Sequence, residues 1–277
     1  MSRIATLITC HNRKDKTLAC LAALFQNILP EGYALDVYLV DDGSTDGTAH
    51  EVHEAFPQVN IIQGNGELYW NRGMHKAWQV AAQSHDYDYY LWLNDDTLLN
   101  ANGYDLLFST IDTSGHSEVI VVGSVCDPVT GRFTYGGSRH VGGPLRPFLC
   151  EYVIPNGQAQ ALDVFNGNVV LIPDVVARKV GNLDPVFQHA MGDTDYSMRA
   201  RKLGVSLLIT GDYVGSCSIN NTTNTHLDWS LPFYLRLKLL FSRKGLPIRS
   251  WFVMCRRHGG WLWPIHFVWG YVKIIVV

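Results

Sequence analysis

The sequence predicts an α/β fold: a mostly parallel twisted sheet flanked by helices, followed by a helical, basic and aromatic C-terminal extension. In its first half, short apolar runs alternate with stretches of helical periodicity, the pattern of βα units around a parallel sheet. The chain has 277 residues, 47% of them hydrophobic and 17% charged, which suits one sizeable core and argues against disorder. We expect a main domain over 1–230 and an extension over 231–277.

Each element of the first half is predicted from the spacing of its apolar residues. Strands are expected at residues 4–9, 35–40, 59–63, 89–93 and 119–125. Helices are expected at residues 14–27, 48–56 and 72–84. The alternation of the two kinds of element is what indicates the parallel sheet.

The second half is predicted from its turn residues and its helix-capping residues. The Gly-, Arg- and Pro-rich run over 131–147 indicates a hairpin and a mobile loop. Strands are expected at 164–172 and 205–210, and a short helix at 173–180, begun by its proline. A helix at 194–203 is expected to have Asp193 as its N-cap and to end at Gly204. From residue 231 onward the sequence is helical in pattern.

Two of the predicted strands end in paired aspartates, Asp41-Asp42 and Asp95-Asp96. Ligands of open α/β sheets bind beyond the carboxyl ends of the strands. Crowded carboxylates repel one another unless a cation or a donor-rich ligand lies between them. One such pair is explained equally well by a turn and a helix cap, whereas two pairs point to a site. The first pair suits a base or a ribose, and the second suits Mg²⁺ or Mn²⁺ bridging a diphosphate.

At these residues the chain resembles the large inverting family 2 of glycosyltransferases, which has the GT-A fold with a Rossmann-like nucleotide-binding half. The matching segments occur in the family's order: TLITCHNRKDKTLACLAAL, VYLVDDGSTDGT, YLWLNDDTLL and HAMGDTDYSMRARKLG. The likeness is strongest to rhamnosyltransferase-like bacterial members that build surface polysaccharides such as O-antigen or capsule. It implies a cytoplasmic enzyme that transfers a hexosyl or deoxyhexosyl group from a UDP- or dTDP-sugar to a glycan or a lipid-linked glycan.

The resemblance also implies roles for individual residues. It places Thr9, Asp41 and Asp42 at the nucleotide. It makes Asn94-Asp95-Asp96 the counterpart of the family's D-x-D motif, with Asp95 at the nucleotide-sugar and Asp96 as the direct ligand of Mg²⁺ or Mn²⁺.

The catalytic base implied by the resemblance is Asp193, in the position of the family's E-D pair. The chain departs from the family here, because Gly192 stands where the first acid is expected. Asp195 therefore competes for the role of base. As the N-cap of its helix, Asp193 is expected to be the better placed of the two to face the cleft.

Weaker signals lie between and beyond these motifs. Arg72 is placed to reach a diphosphate and Trp70 to wall the donor sugar, although a half-buried aromatic beside a surface arginine explains them equally well. The stretch Asn166-Gly167-Asn168, which opens an apolar strand, is a candidate contact for the transferred sugar. His226, at the end of the polar loop 220–226, is a candidate metal ligand, although a lone loop histidine is usually only solvated.

The charge of the chain is unevenly distributed. All 25 Asp and Glu residues precede residue 231, whereas eight of the 22 Lys and Arg residues follow it. Together with the aromatic run from Trp261 to Val277, this asymmetry predicts peripheral contact with the anionic inner face of the cytoplasmic membrane rather than a membrane span. The alternatives are that the aromatic side chains pack on the main domain or form a dimer interface. A homo-oligomer is therefore one of the expected states of the chain.

Two other functions compete with the enzyme. One is a GT-A-like subunit that binds nucleotide or glycan without turnover, which Gly192 would favour. The other is a metal-dependent nucleotidyltransferase, which TCHNRKDK after the first strand matches poorly. Nucleic acid is not expected as a partner, because the main domain is acidic. The N-terminus does not resemble a signal peptide, and the six scattered cysteines are expected to be free thiols.

Overall fold

A computed structural model describes residues 1–219 and 223–276. Positions 220–222 of the predicted polar loop and residue 277 of the extension lie outside the described residues. The strands are β1 (Ser2–Cys10), β2 (Tyr33–Asp41), β3 (Val59–Gln63), β4 (Tyr89–Leu93), β5 (Leu98–Leu99), β6 (Val119–Cys126), β7 (Phe133–Tyr135), β8 (Gly137–His140), β9 (Cys150–Val153), β10 (Gln160–Ala161), β11 (Val164–Phe165), β12 (Val169–Pro173) and β13 (Ser206–Ser216). The helices are α1 (Lys14–Gln26), α2 (Thr48–Ala55), α3 (Tyr69–Ser84), α4 (Gly103–Ser114), α5 (Asp174–Val180), α6 (Gly192–Lys202), α7 (Phe233–Leu240), α8 (Ile248–His258) and α9 (Trp263–Val276).

One mixed sheet organises these elements, in the order β10-β13-β6-β12-β4-β1-β2-β3. β1 pairs in parallel with β2 on one side and with β4 on the other, and β2 pairs in parallel with β3. β12 runs antiparallel between β4 and β6. The predicted fold class is confirmed. The two strands that end in aspartate pairs flank β1, and since all three are parallel, their carboxyl ends meet at one edge.

The sheet is covered on both faces, and β1 shows how alternation divides the core. Leu7 lies in the cluster that contains Met74 of α3, whereas Ile4 and Ile8 lie in the cluster that contains Leu21 of α1. All of these side chains are fully buried. Because successive side chains of a strand point to opposite faces, an unbroken apolar strand requires helices on both sides.

The structure corrects two predictions of the second half and adds one helix to the first. The single strand expected over 164–172 is two strands, because the turn 166–168 interrupts it: β11 pairs with β8 in a small second sheet, and β12 joins the main sheet. Helix α4 was not predicted. Within the run 131–147, β7 pairs with β6, and the hairpin is formed by β8 and β9.

The C-terminal extension is helical, as expected, and it packs on the main domain through its own apolar cluster. Trp251, Met254 and Cys255 of α8 surround the fully buried Phe187 of the main domain. Side chains of α9 complete this cluster. The six cysteines, all in the described part of the chain, are free thiols.

Candidate functional site

The paired aspartates after β4 have cationic partners. Arg13, immediately before α1, places Nη1 2.9 Å from Asp95 Oδ1 and 3.0 Å from Asp96 Oδ2. Lys16 places Nζ 3.8 Å from Asp96 Oδ2. Neither cation was predicted from the sequence as part of the site. The available signal was the run RKDK, which follows the first strand and therefore reaches the same edge of the sheet as the acids.

Burial distinguishes the two carboxylates. Asp95 is buried, and its Oδ2 accepts no hydrogen bond. Burial raises the pKa of Asp95 to about 6, although the charge of Arg13 opposes the shift. Asp96 instead borders a cavity of about 280 Å³, lined also by Lys16 and Cys217. Asp96 is therefore the member of the pair that faces open space.

The chemistry of this pair fits Mg²⁺ or Mn²⁺. Carboxylate oxygens are hard ligands, and Asp95 Oδ2 has no protein donor to satisfy it. In the part of the chain that the structure describes, no group of three or more His, Cys, Asp or Glu residues is placed to hold a metal ion. Two carboxylates alone suit a cation that completes its shell with water and phosphate oxygens, as Mg²⁺ commonly does.

His226 belongs to no such group in the described part of the chain. Its carbonyl oxygen accepts a hydrogen bond from Arg236 Nε at 3.2 Å. Burial, with the charge of Arg236, lowers the pKa of its imidazole. Its role as a metal ligand stays a prediction.

Asp41 and Asp42 lie on the other side of β1. They differ in how many backbone hydrogen bonds each carboxylate accepts. Asp41 Oδ1 accepts from the backbone N–H of Ser44 at 2.9 Å. Asp42 uses both oxygens, accepting backbone N–H groups at 2.9 Å from Gly66, Leu68 and Tyr69. Asp42 thus fixes the segment 64–69 that leads into α3. A nucleotide role for either residue stays a prediction.

Thr9 and Arg72 lie where α3 approaches the sheet. A Cβ on Gly73 would come within 2.2 Å of Thr9 Oγ1, so this approach requires glycine. Arg72 Nε donates to the carbonyl oxygen of Pro185 at 2.8 Å and holds the loop before α6. The contacts of Thr9 and Arg72 with a nucleotide-sugar donor stay predictions.

The turn Asn166-Gly167-Asn168 joins the two halves of the site. The Asn168 carbonyl oxygen accepts from the Asn94 backbone N–H at 2.9 Å, and the Gly167 N–H donates to Asp193 Oδ2 at 3.1 Å. Trp70 Nε1 donates to Asn94 Oδ1 at 2.7 Å. Its ring lies so close to Gly167 that a Cβ there would be 2.3 Å from Cζ2. Trp70 therefore contacts both Asn94, beside the acidic pair, and Gly167, the residue that is bonded to Asp193.

Asp193 is not the N-cap that sequence analysis predicted. Helix α6 begins at Gly192, after Met191 in the left-handed conformation, so Asp193 lies inside the first turn. Its side chain reaches the turn 166–168, where Oδ2 accepts from the Gly167 N–H, while Oδ1 accepts from the Thr194 N–H at 2.8 Å. The residue is half-buried. Burial raises the pKa of Asp193, and these backbone donors oppose the rise.

The missing acid before Asp193 has a packing explanation. A Cβ on Gly192 would lie 1.8 Å from Asn71 Oδ1, because the Asn71 side chain from α3 occupies that space. Asn71 is fully buried, and its Nδ2 donates to the carbonyl oxygens of Asp184 and Phe187 at 2.8 Å. Gly192 thus accommodates Asn71, which in turn holds the loop before α6.

Asp195, the rival candidate for the base, is fully buried. Its Oδ2 accepts from Arg199 Nε at 2.8 Å, one turn along α6. Arg199 also donates to the carbonyl oxygens of Val180 and Asn182. This environment is that of a structural carboxylate and leaves no face for an acceptor hydroxyl.

A comparison with known protein families agrees with this α/β sheet and its acidic strand ends, and the matching residues include most of the sheet. Residues 6–172 match the family described as Glycosyl transferase family 2. The chain belongs to this family. No match was found among curated proteins.

Solved structures share the fold at low sequence identity. GalNAc-T7 with UDP, GalNAc and Mn²⁺ aligns with a TM-score of 0.59 and 16% identity over 78% of this chain and 42% of that one. Mannosyltransferase PcManGT from Pyrobaculum calidifontis, in complex with GDP-Man and Mn²⁺, aligns with a TM-score of 0.56 and 15% identity. That alignment covers 99% of this chain and 73% of PcManGT. S. aureus TarS 1-349 with UDP-GlcNAc aligns with a TM-score of 0.55 and 12% identity, over 87% of this chain and 67% of the TarS chain. The chain thus spans less than half of GalNAc-T7.

Proposed function

We propose that this chain is a metal-dependent inverting glycosyltransferase that moves a sugar from a nucleoside-diphosphate sugar to a hydroxyl of a glycan or a lipid-linked glycan. The observation that carries the proposal is the turn 166–168, which bonds to Asp193 on one side and to the backbone beside Asp95-Asp96 on the other. Family membership supports it, as do the nucleotides and Mn²⁺ bound by structural neighbours. UDP or dTDP is the expected nucleotide, and bacterial surface polysaccharide synthesis is the setting inferred from the resemblance.

The arrangement assigns the proposed chemistry to few residues. In an inverting transfer the acceptor oxygen attacks the anomeric carbon as the bond to the diphosphate breaks, so one base is sufficient. Asp193 would accept the proton of the acceptor hydroxyl, and its raised pKa strengthens it as a base. Arg13 and Lys16 would offset negative charge on the diphosphate. A divalent cation bound at Asp96 would add further positive charge there.

The structure weakens the case for a non-catalytic subunit. The only sequence feature that favoured it was Gly192, and the packing of Asn71 against that glycine is a structural reason for its presence. Nothing in the described residues favours a nucleotidyltransferase over a glycosyltransferase. The transferase is therefore the function that the site supports best.

A nucleotide-sugar panel tests the reaction. We expect release of the nucleoside diphosphate from one donor, only with Mn²⁺ or Mg²⁺ present, and a higher melting temperature with UDP or dTDP only in the presence of that metal. The physical reason is that Arg13 and Lys16 only balance the two carboxylates, so a divalent cation supplies the further positive charge that attracts the diphosphate. Adding EDTA is the control. Turnover that is unaffected by EDTA would contradict the metal-dependent mechanism.

The acceptor is proposed to be lipid-linked because of the outer face of the extension. Ile265, Val268 and Trp269 of α9 follow helical spacing and are each more than half exposed, and Trp261 just before α9 is 82% exposed. Exposed apolar groups of this kind mark interaction surfaces, and tryptophans settle at membrane interfaces. In the described part of the chain, no helix is long and apolar enough to cross a membrane.

Charge favours an anionic leaflet as the occupant of this face. The extension has no Asp or Glu, and Arg249 and Lys273 are exposed on α8 and α9. Each basic residue near an anionic surface contributes about 1 kcal/mol. We therefore propose peripheral attachment to the inner face of the cytoplasmic membrane, which would bring a polyprenyl-diphosphate-linked sugar to Asp193.

Liposome co-sedimentation tests this attachment. We expect the chain to pellet with anionic vesicles at low salt and less at high salt, because screening weakens the electrostatic part. The double substitution Val268→Ser and Trp269→Ser should reduce binding, whereas Val129→Ser and Leu145→Ser, at exposed positions outside the extension, should not. Removal of the chain beyond Arg243 is a poorer test, since it uncovers Phe187. Equal recovery of all variants in the supernatant would contradict the proposal.

A further inference from the structure

The buried carboxylate of Asp195 is held mainly from outside the main domain. Besides Arg199, it accepts hydrogen bonds at Oδ1 from Arg257 Nη1 at 2.7 Å and from His258 Nε2 at 2.9 Å. Arg257 and His258 are consecutive residues at the end of α8, in the C-terminal extension. The extension therefore contacts the helix turn that also contains Asp193.

Arg257 also binds the loop that leads into this turn. Its Nη2 donates to Asp184 Oδ2 at 2.8 Å, while Nη1 is bound to Asp195. One planar guanidinium thus links a residue before α6 to a residue in its first turn. A planar group with fixed donor directions restrains the relative position of its two partners more strongly than a flexible ammonium does.

The charges of the cluster keep this link in place. Burial by itself would raise the pKa of Asp195, but the hydrogen bond from His258 and the charges of Arg199 and Arg257 bring it below its ordinary value. Burial lowers the pKa of His258 against the opposing effect of Asp195. His258 is therefore a neutral donor near neutral pH, and Asp195 is an anion between two guanidinium groups.

The turn that carries Asp193 is thus held from two directions. Asp193 is bonded to Gly167 in the site, and Asp195, two residues on, is bonded to α8. Met191, just before the turn, has a positive φ of 73° and packs against the cluster that contains Trp251. A left-handed residue other than glycine persists only where its surroundings hold it.

We propose that Arg257 and His258 are positioning residues that set the orientation of Asp193 through Asp195, so that the C-terminal extension completes the catalytic site. The inference rests on the proposed function in taking Asp193 as the base. It assigns the extension a role in catalysis that is separate from membrane attachment. Neither residue touches the reacting atoms.

The test compares neighbouring arginines on α8. Arg257→Gln removes both charged bonds, and the matched control Arg256→Gln makes the same charge change at the adjacent, exposed position. We expect Arg257→Gln to lower kcat roughly 10- to 100-fold with the donor KM unchanged, the size of effect produced by misplacement of a catalytic group. Arg257→Lys, which keeps the charge, should recover part of kcat. Arg256→Gln should match the wild type.

Hydrogen exchange supplies a readout that does not depend on turnover. The amides of Thr194 and Gly167 donate to Asp193, so we expect peptides containing them to exchange faster in Arg257→Gln than in Arg256→Gln. If Arg257→Gln does not fold, the same comparison is made with Arg257→Lys. Unchanged kcat and unchanged exchange would overturn the inference, as would an equal change in both arginine variants. A wild-type chain inactive with every donor would refute the proposed function, while the exchange comparison would still test the positioning.

Discussion

Asp193→Asn is expected to lower kcat by about 10²–10⁴, the range usual for loss of a general base. Donor binding should be nearly unchanged, because the acidic pair after β4 is untouched. Asparagine keeps the size of the side chain, but its single amide oxygen can accept from only one of Gly167 and Thr194, which bind different oxygens of the carboxylate. A melting temperature close to that of the wild type, measured beside steady-state kinetics and nucleotide binding, will show that the loss reflects chemistry rather than folding.

Two substitutions serve as controls for that experiment. Asp112→Asn, an exposed change on α4, should leave kcat unaltered. Asp195→Asn should lower stability by about 1–3 kcal/mol, because the partly exposed Arg199 and Arg257 lose the buried anion that they bind. It should also lower kcat, though less than Asp193→Asn does, because Asp195 acts only by holding the turn that carries Asp193. If Asp195→Asn folds normally and is the more damaging to kcat, the roles of the two aspartates are reversed.

Asp96→Ala is expected to abolish transfer and the metal-dependent part of nucleotide binding. Asp96 borders the open cavity, whereas Asp95 is buried. Asp96 is therefore the carboxylate that can bind a cation together with a diphosphate. The change also leaves Arg13 with Asp95 as its remaining carboxylate partner there. Thermal shift with UDP or dTDP, with and without Mn²⁺, measures the binding part directly.

Asp95→Ala is the matched comparison and should be milder in its effect on turnover. It removes a carboxylate of the same motif while leaving Asp96 at the cavity. A chain with Asp96→Ala that turns over normally would contradict the metal assignment. The same holds if only Asp95→Ala removes the effect of Mn²⁺ on nucleotide binding.

The sequence by itself determined the fold class and the edge of the sheet at which to look. The strands over 59–63 and 89–93 were predicted with the bounds the structure has. The second of them is a buried strand that is apolar throughout and ends abruptly at the polar Asn94. The pair Asp41-Asp42 stands at the end of β2, and the pair Asp95-Asp96 closely follows β4, so each pair is next to its strand in the sequence. Local pattern was therefore sufficient to identify them.

Only the tertiary structure decided which of these carboxylates are enclosed by charged side chains. Asp193 and Asp195 are two residues apart and alike in sequence, yet one faces the turn 166–168 and the other is enclosed by Arg199, Arg257 and His258. The partners of Asp195 on α8 lie more than 60 positions along the chain. Contacts over such separations depend on how α8 packs, and no local period of the sequence encodes them.

Gly192 shows the same limit from the other direction. In the sequence it is the absence of an expected acid, and it favoured a chain without activity. In the structure it is the space that Asn71 fills from α3, 121 positions earlier in the chain. The sequence established which residue types stand at the ends of the strands. Packing between distant helices decided which polar partners surround each of them, because side-chain volume is shared among neighbours in space rather than along the chain.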